Sequence, residues 1–152
     1  MSRTALLYHI IWRTRASEPS ISENHERQLY TYILRICDNK NCKLHRINSM
    51  PDHIHILVSI RPDISVSQFV KIIKGESSKW LKSHTNWFPS FRGWGSGYAA
   101  FTYAENDKET IRQYIANQKQ HHRNTPFYQE YYALMSEYKL TPDPETDPML
   151  KD

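Results

Sequence analysis

Pro51-Asp52-His53-Ile54-His55-Ile56-Leu57-Val58-Ser59-Ile60 is the stretch on which the reading of this chain turns. Its apolar, β-branched character predicts a strand, and Met50-Pro51-Asp52 ahead of it predicts a tight turn. Successive strand side chains point to opposite faces, so His53 and His55 project side by side. Two half-buried neutral imidazoles without partners are costly, and one divalent metal ion would satisfy both.

Working outward, Cys42–Ser49 alternates as the partner strand of a hairpin through that turn. Thr4–Arg13 (TALLYHIIWR) reads as an earlier strand. Between them, Ser20-x-x-Glu23 is a capping box for a helix with Leu29, Ile33 and Ile36 on its apolar face, ending near Asn39. Ser65-x-x-Gln68 predicts a second helix to about His84, with Phe69, Ile73, Trp80 and Leu81 inward. A Trp/Gly/Pro loop, Phe88–Gly97, leads to a strand at Tyr98–Tyr103. Asn106-x-x-Glu109 then opens a helix through about Arg123, and a shorter aromatic helix follows Pro126.

The order β-α-β-β-α-β predicts an α+β, ferredoxin-like split βαβ fold: an antiparallel sheet with helices on one face, plus a C-terminal helix. The histidine strand falls at the centre of that sheet. Residues 1–140 read as one domain, and 141–152, an acidic Pro-rich tail, as disordered.

The chain has 152 residues and a net charge of +4. Asp143–Asp152 carries four acids against one lysine, so Met1–Pro142 holds +7. A basic body with ten tyrosines, five phenylalanines and four tryptophans suits single-stranded nucleic acid, whose bases can stack. Lys71, Lys74 and Lys82 lie along one side of the second predicted helix, with Lys79 at its margin and Arg92 in the loop beyond. They read either as a solvated face or as a stripe following phosphates. Trp87, Phe88, Phe91 and Trp94 read either as base-stacking rings or as buried anchors of their loop.

Cys37 and Cys42 match neither a redox pair nor a zinc-finger spacing. With no apolar run near about 20 residues and no signal-peptide design, the expectation is a soluble cytoplasmic protein.

The last long helix contains Tyr114 and Gln118, four apart and therefore on one face beside Ile111 and Ile115. Seated on the sheet by the isoleucines, it would bring a phenol and an amide oxygen toward the histidine pair. His53, His55 and Gln118 are then three candidate ligands with no net charge, suited to Mg²⁺ or Mn²⁺ with open positions. Tyr114, with an ordinary phenol pKa of about 10, is the candidate nucleophile. His121 and His122 read as surface residues or DNA contacts, without a catalytic role.

In this order the residues resemble a known family. His53-Ile54-His55 is similar to the His-hydrophobic-His motif of HUH endonucleases, and Tyr114-Ile115-x-x-Gln118 resembles the helix of IS200/IS605-type single-tyrosine transposases, which include REP-associated relatives. Met50-Pro51-Asp52-His53, Lys74-Gly75-x-Ser77-Ser78-x-Trp80-Leu81 and Gly97-Tyr98-x-x-Phe101 fit the same pattern, which spans roughly Leu6 to Tyr138. Trp94-Gly95-Ser96-Gly97 departs from it, since Trp-Gln and a charged residue are expected before Gly-Tyr.

The resemblance implies cleavage and rejoining of single-stranded DNA at hairpin-marked ends. His53, His55 and Gln118 would hold the metal, and Tyr114 would form a 5′-phosphotyrosine. It also implies a homodimer in which one protomer's tyrosine helix can complete the other's histidine site, inside the cell near the nucleoid. The competing readings are a domesticated relative that processes palindromic repeats, a replication-initiator or relaxase nuclease, and a non-enzymatic module binding single strands on its sheet.

Overall fold

The structure, a computed structural model, describes residues 3–151. Four strands, β1 (Leu7–Arg13), β2 (Lys43–Met50), β3 (His53–Ser59) and β4 (Ala99–Tyr103), form one antiparallel sheet in the order β2-β3-β1-β4. This is the ferredoxin-like arrangement predicted from the element order, with β3 and β1 at the centre. In register, Ile11 faces His55, Arg13 faces His53 and Asn48 faces His55.

Alternation along the central strands sends Ile10, Trp12, Ile54, Ile56 and Val58 to one face. There they pack against α1 (Glu26–Asn39) and α2 (Val66–Ser83), through Leu29, Ile33, Ile36, Phe69, Val70, Ile73 and Leu81. Full burial of such side chains stabilises by about 1.5–3 kcal/mol each. Ser65 caps α2 as predicted, its Oγ accepting from the Gln68 N–H at 3.1 Å. The other two capping boxes do not form. The chain enters α1 through a 3₁₀ turn at Glu23–His25, and no side chain caps the helix that begins at Lys108.

Leu7, His9, Ile11, His53, His55 and Leu57 point to the opposite face. It is covered by α3 (Lys108–Ala116), α4 (Gln118–His121) and α5 (Phe127–Glu137). The single long helix predicted to about Arg123 is therefore two helices broken at Asn117. The cause is tertiary: Asn48 on β2 donates through Nδ2 to the carbonyls of Ile115 at 2.9 Å and Ala116 at 3.4 Å. These groups sit at the end of α3, where carbonyls lack helical partners.

The acidic segment after Thr141 also differs from its prediction. Met149 is buried in the cluster of Ile11, Ala99, Phe101, Tyr131 and Leu134, the Tyr131 hydroxyl donates to Asp147 at 2.6 Å, and Arg13 donates to the Pro148 carbonyl at 2.9 Å. Composition argued for disorder, but one methionine and one buried arginine tie this segment to the sheet. No helix among the described residues is long and apolar enough to cross a membrane.

Candidate active site

The turn before β3 is held from both sides. The Pro51 carbonyl accepts from the Ser20 and Ile21 N–H groups, and the Asp52 carbonyl accepts from the Thr14 N–H at 2.9 Å. Asp52 is thereby fixed with its carboxylate 2.7 Å from His53 Nδ1. His55, two residues on, lies with its Nδ1 2.8 Å from Nε2 of His9 on β1. All three imidazoles are buried.

Over this face, α3, α4 and α5 converge on Glu130. Its Oε1 lies 2.9 Å from His122 Nε2, 3.1 Å from His55 Nε2 and 3.6 Å from His53 Nε2. Its Oε2 accepts from the Tyr114 hydroxyl, and from Gln118 Nε2 at 2.8 Å. His53, His55, Gln118 and Tyr114, predicted as one site, thus meet around a carboxylate that the sequence reading did not place there. Gln118 is fully buried, and its Oε1 has no partner among the described residues.

Two residues were missed. His122 was read as a surface residue, yet its imidazole is part of the cluster; it extends the four-residue spacing of Tyr114 and Gln118. Glu130 was not singled out, although it shares a helical face with Phe127, Tyr131 and Leu134, where an acid needs a polar partner. His53, His55, His122 and Glu130 each offer one ligand atom, all within 4.8 Å of one another, so the cluster could hold a metal ion.

The electrostatics follow from burial and that carboxylate. Burial pushes the His55 ring down to about 4, and holds His9 well below its ordinary value with help from His55. For His53, burial is outweighed by hydrogen bonds to Asp52 and Glu130, and the net shift is upward. Glu130 is likewise opposed by burial but held far below the usual carboxylate range by His122, His53 and His55. Burial and the Glu130 charge push the Tyr114 phenol well above its ordinary value. The phenolate is therefore less accessible than the free side chain suggests.

The basic residues divide. Lys71, Lys79 and Lys82 are exposed. Lys74 turns inward, its Nζ donating to the carbonyls of Gly95 at 2.8 Å and Gly97 at 2.9 Å. Arg92 pairs with Glu18 through both its Nε and Nη2. Arg15, Lys82 and Arg92 border a pocket with Gly93 and Gly95. In the adjoining loop Phe88 and Phe91 are buried anchors, and the Trp94 indole donates to Ser77 Oγ at 2.9 Å.

Residues 2–118 match the family model described as "Transposase IS200 like". The chain belongs to the IS200-like transposase family. It is 28% identical over 115 residues to the transposase for insertion sequence element IS200 of Salmonella typhimurium, covering 73% of this chain and 75% of that protein. It is 26% identical over 120 residues to the ISDra2 transposase TnpA of Deinococcus radiodurans, covering 74% and 84%. Among solved structures, a REP-associated tyrosine transposase bound to a REP hairpin superposes with a TM-score of 0.60 over 80% of this chain and 74% of that one. At 13% identity, this likeness concerns the fold alone. The family match of this IS200-type transposase ends at Gln118, so His122 and Glu130 stand outside it.

Proposed function

We propose that this transposase cleaves and rejoins single-stranded DNA at hairpin-marked ends through a 5′-phosphotyrosine on Tyr114. The observation that carries this reading is the convergence of Tyr114, Gln118 and the two β3 histidines on one buried carboxylate within a single chain.

His53 and His55 would hold a divalent ion, Mg²⁺ or Mn²⁺, with Gln118 as a third ligand. The residues fit this role: two buried imidazoles on one strand face converge on Glu130, and Gln118 Oε1 is a buried acceptor without a donor. When bound, the ion would supply Lewis-acid polarisation of the scissile phosphate.

Everything else is done by the chain. The Tyr114 oxygen attacks phosphorus, the bond to the 3′ oxygen breaks, and the departing strand leaves with a free 3′-hydroxyl. The phenol proton passes toward the acceptor it already faces, Glu130 Oε2, and is given up from there to the departing 3′ oxygen, which leaves as the hydroxyl. In the second transfer a 3′-hydroxyl attacks the phosphotyrosine, a new phosphodiester forms, and the phenol is restored. Bond energy is conserved because one ester replaces another.

Lys71, Lys79 and Lys82 on α2 and Arg92 in the loop beyond would follow the DNA backbone; Lys74 braces the loop that carries Arg92. The fold neighbour bound to a hairpin supports a hairpin-bearing substrate. Two copies, one at each DNA end, complete the reading, and each carries its own Tyr114 beside its own histidines. Such a substrate places the protein in the cytoplasm near the nucleoid.

The test is a covalent-adduct assay with labelled hairpin-bearing single strands, in Mn²⁺ and in EDTA. The wild type should form a metal-dependent adduct and Tyr114→Phe none, with binding retained. An adduct surviving in Tyr114→Phe would remove Tyr114 from the mechanism.

A further inference from the structure

We infer that His122 and Glu130, which lie beyond the family match, are additional metal ligands in this chain and make its site a carboxylate-bearing centre that favours Mn²⁺ over Mg²⁺. This rests on the reading of His53 and His55 as a metal site.

The argument begins with protons. His53 Nδ1 faces a carboxylate oxygen of Asp52 at 2.7 Å, and His122 Nδ1 faces the Thr125 carbonyl at 2.5 Å. Both neighbours are acceptors, so each Nδ1 carries the hydrogen. In the neutral rings both Nε2 atoms are then lone-pair atoms, and they face each other at 3.2 Å. Two lone pairs at that separation, with a carboxylate oxygen 2.9 and 3.6 Å away, need a positive charge between them. Either one ring takes a proton or the group takes a metal ion.

The spacing matches a metal. With bonds of about 2.1 Å, adjacent ligand atoms lie about 3.0 Å apart in an octahedron and about 3.4 Å in a tetrahedron. The contacts among His53 Nε2, His55 Nε2, His122 Nε2 and Glu130 Oε1 include separations of 2.9, 3.1, 3.2 and 3.6 Å. The outer contacts also suit ligation: two rings donate their Nδ1–H to a carboxylate and a carbonyl, an arrangement that fixes ligating histidines elsewhere.

Glu130 gives the centre its sign. His53, His55 and Gln118 alone form a neutral set, whereas a carboxylate lowers the net charge by one. Three imidazole nitrogens suit Mn²⁺ better than the oxygen-demanding Mg²⁺. The other Glu130 oxygen accepts from Tyr114, so this one side chain ties the nucleophile to the metal centre.

The test measures Mn²⁺ and Mg²⁺ binding to the full chain by equilibrium dialysis and Mn²⁺ electron paramagnetic resonance, without DNA. The proteins are wild type, Glu130→Gln, His122→Gln and His53→Gln, with circular dichroism melts as folding controls. Wild type should bind Mn²⁺ more tightly than Mg²⁺, and Glu130→Gln and His122→Gln should each weaken Mn²⁺ about 10- to 100-fold. Glu130→Gln should also narrow the preference between the two ions. Wild-type Mn²⁺ affinity in both variants, with loss only in His53→Gln, overturns this inference and leaves the His53/His55 site standing. No binding of either ion by the wild type removes the metal site itself, and the cluster is then a protonated histidine on a carboxylate. If Glu130→Gln fails to fold, His122→Gln decides alone.

Discussion

Tyr114 and Glu130 are hydrogen-bonded across two helices: the phenol donates to Oε2 of a carboxylate whose Oε1 lies 3.1 Å from His55 Nε2. Tyr114 and the histidine strand are therefore joined through one buried side chain. Tyr114 and Glu130 are 16 residues apart in sequence and meet only in three dimensions, since α4 and a turn separate α3 from α5.

Tyr114→Phe removes one donor from a carboxylate that keeps Gln118 and three imidazoles. A hydrogen bond to a charged group contributes about 1.5–3 kcal/mol, so the variant should stay folded and lose no more than that. Urea denaturation checks this. A loss well above that range would mean Tyr114 is chiefly a structural residue.

The metal-free protein should lose stability as pH falls. His55 drops from 6.5 to about 4 on folding, and His9 also falls well below 6.5. Between those values the unfolded chain binds protons that the native state refuses. Stability is then present above 6.5 and lost as pH falls toward the folded values, at about 1.4 kcal/mol per pH unit for His55 alone. Glu130, depressed below 4.5, extends the loss into stronger acid. His53 opposes the trend, because its raised value contributes stability below 6.5 that disappears as pH rises. Two depressed rings outweigh one raised ring. In EDTA, urea midpoints should decline from about pH 7.5 to about pH 5; a rising midpoint contradicts the balance.

The basic residues should separate into two classes in DNA binding. Removing a side chain that neutralises one phosphate of a single strand lowers the slope of log affinity against log salt by about 0.7. Lys82→Ala should do so, because Lys82 is exposed beside Arg92 and Gly93. Lys74→Ala should instead lower the melting temperature, since its ammonium holds the Gly95 and Gly97 carbonyls. Equal slope changes in both variants would put Lys74 on the DNA after all.

Much of this was legible in the chain. Two-residue alternation around His53 and His55 gave the central strand, and the Ser65 cap gave the start of α2. Tyr114 and Gln118, read four apart, do meet the histidines. What escaped depended on distant partners. The break at Asn117 is made by Asn48, which lies 67 and 68 positions before the two carbonyls it holds, so no local pattern announces it. The tail looked disordered because acids and prolines dominate its composition, while what ties it down, Met149 in the core and the contacts of Asp147 with Tyr131 and Pro148 with Arg13, depends on distant partners.

Gly97→Ala probes that anchor. Gly97 has φ of +77°, and a Cβ there would lie 2.6 Å from Pro148 Cγ. The left-handed conformation alone costs an alanine about 1–2 kcal/mol. Because Pro148 belongs to the tail, the overlap should be relieved by displacing it, exposing Met149. Limited proteolysis should cut the variant's tail faster than the wild type's; equal rates would mean the tail shifts without releasing.

Asn48 is the residue through which β2 shapes the site. Its Nδ2 holds the last carbonyls of α3, and its Oδ1 accepts from Lys119 Nζ at 2.9 Å and from the Ser49 N–H at 3.0 Å. Asn48→Ala leaves the buried Ile115 carbonyl and the Lys119 ammonium short of a partner. The expected cost is about 1–3 kcal/mol for the unsatisfied groups. A second effect should follow, because Gln118 and His122 take their places from the turn at Asn117. With that turn unheld, adduct formation should fall further than the fraction unfolded accounts for. Asn48→Asp keeps the acceptor for Lys119 but turns a carboxylate oxygen toward two carbonyls, so it should share the defect in adduct formation. Measuring adduct rate beside the urea midpoint separates the two effects. Wild-type rates in folded Asn48→Ala would show that α3 and α4 hold their angle without β2.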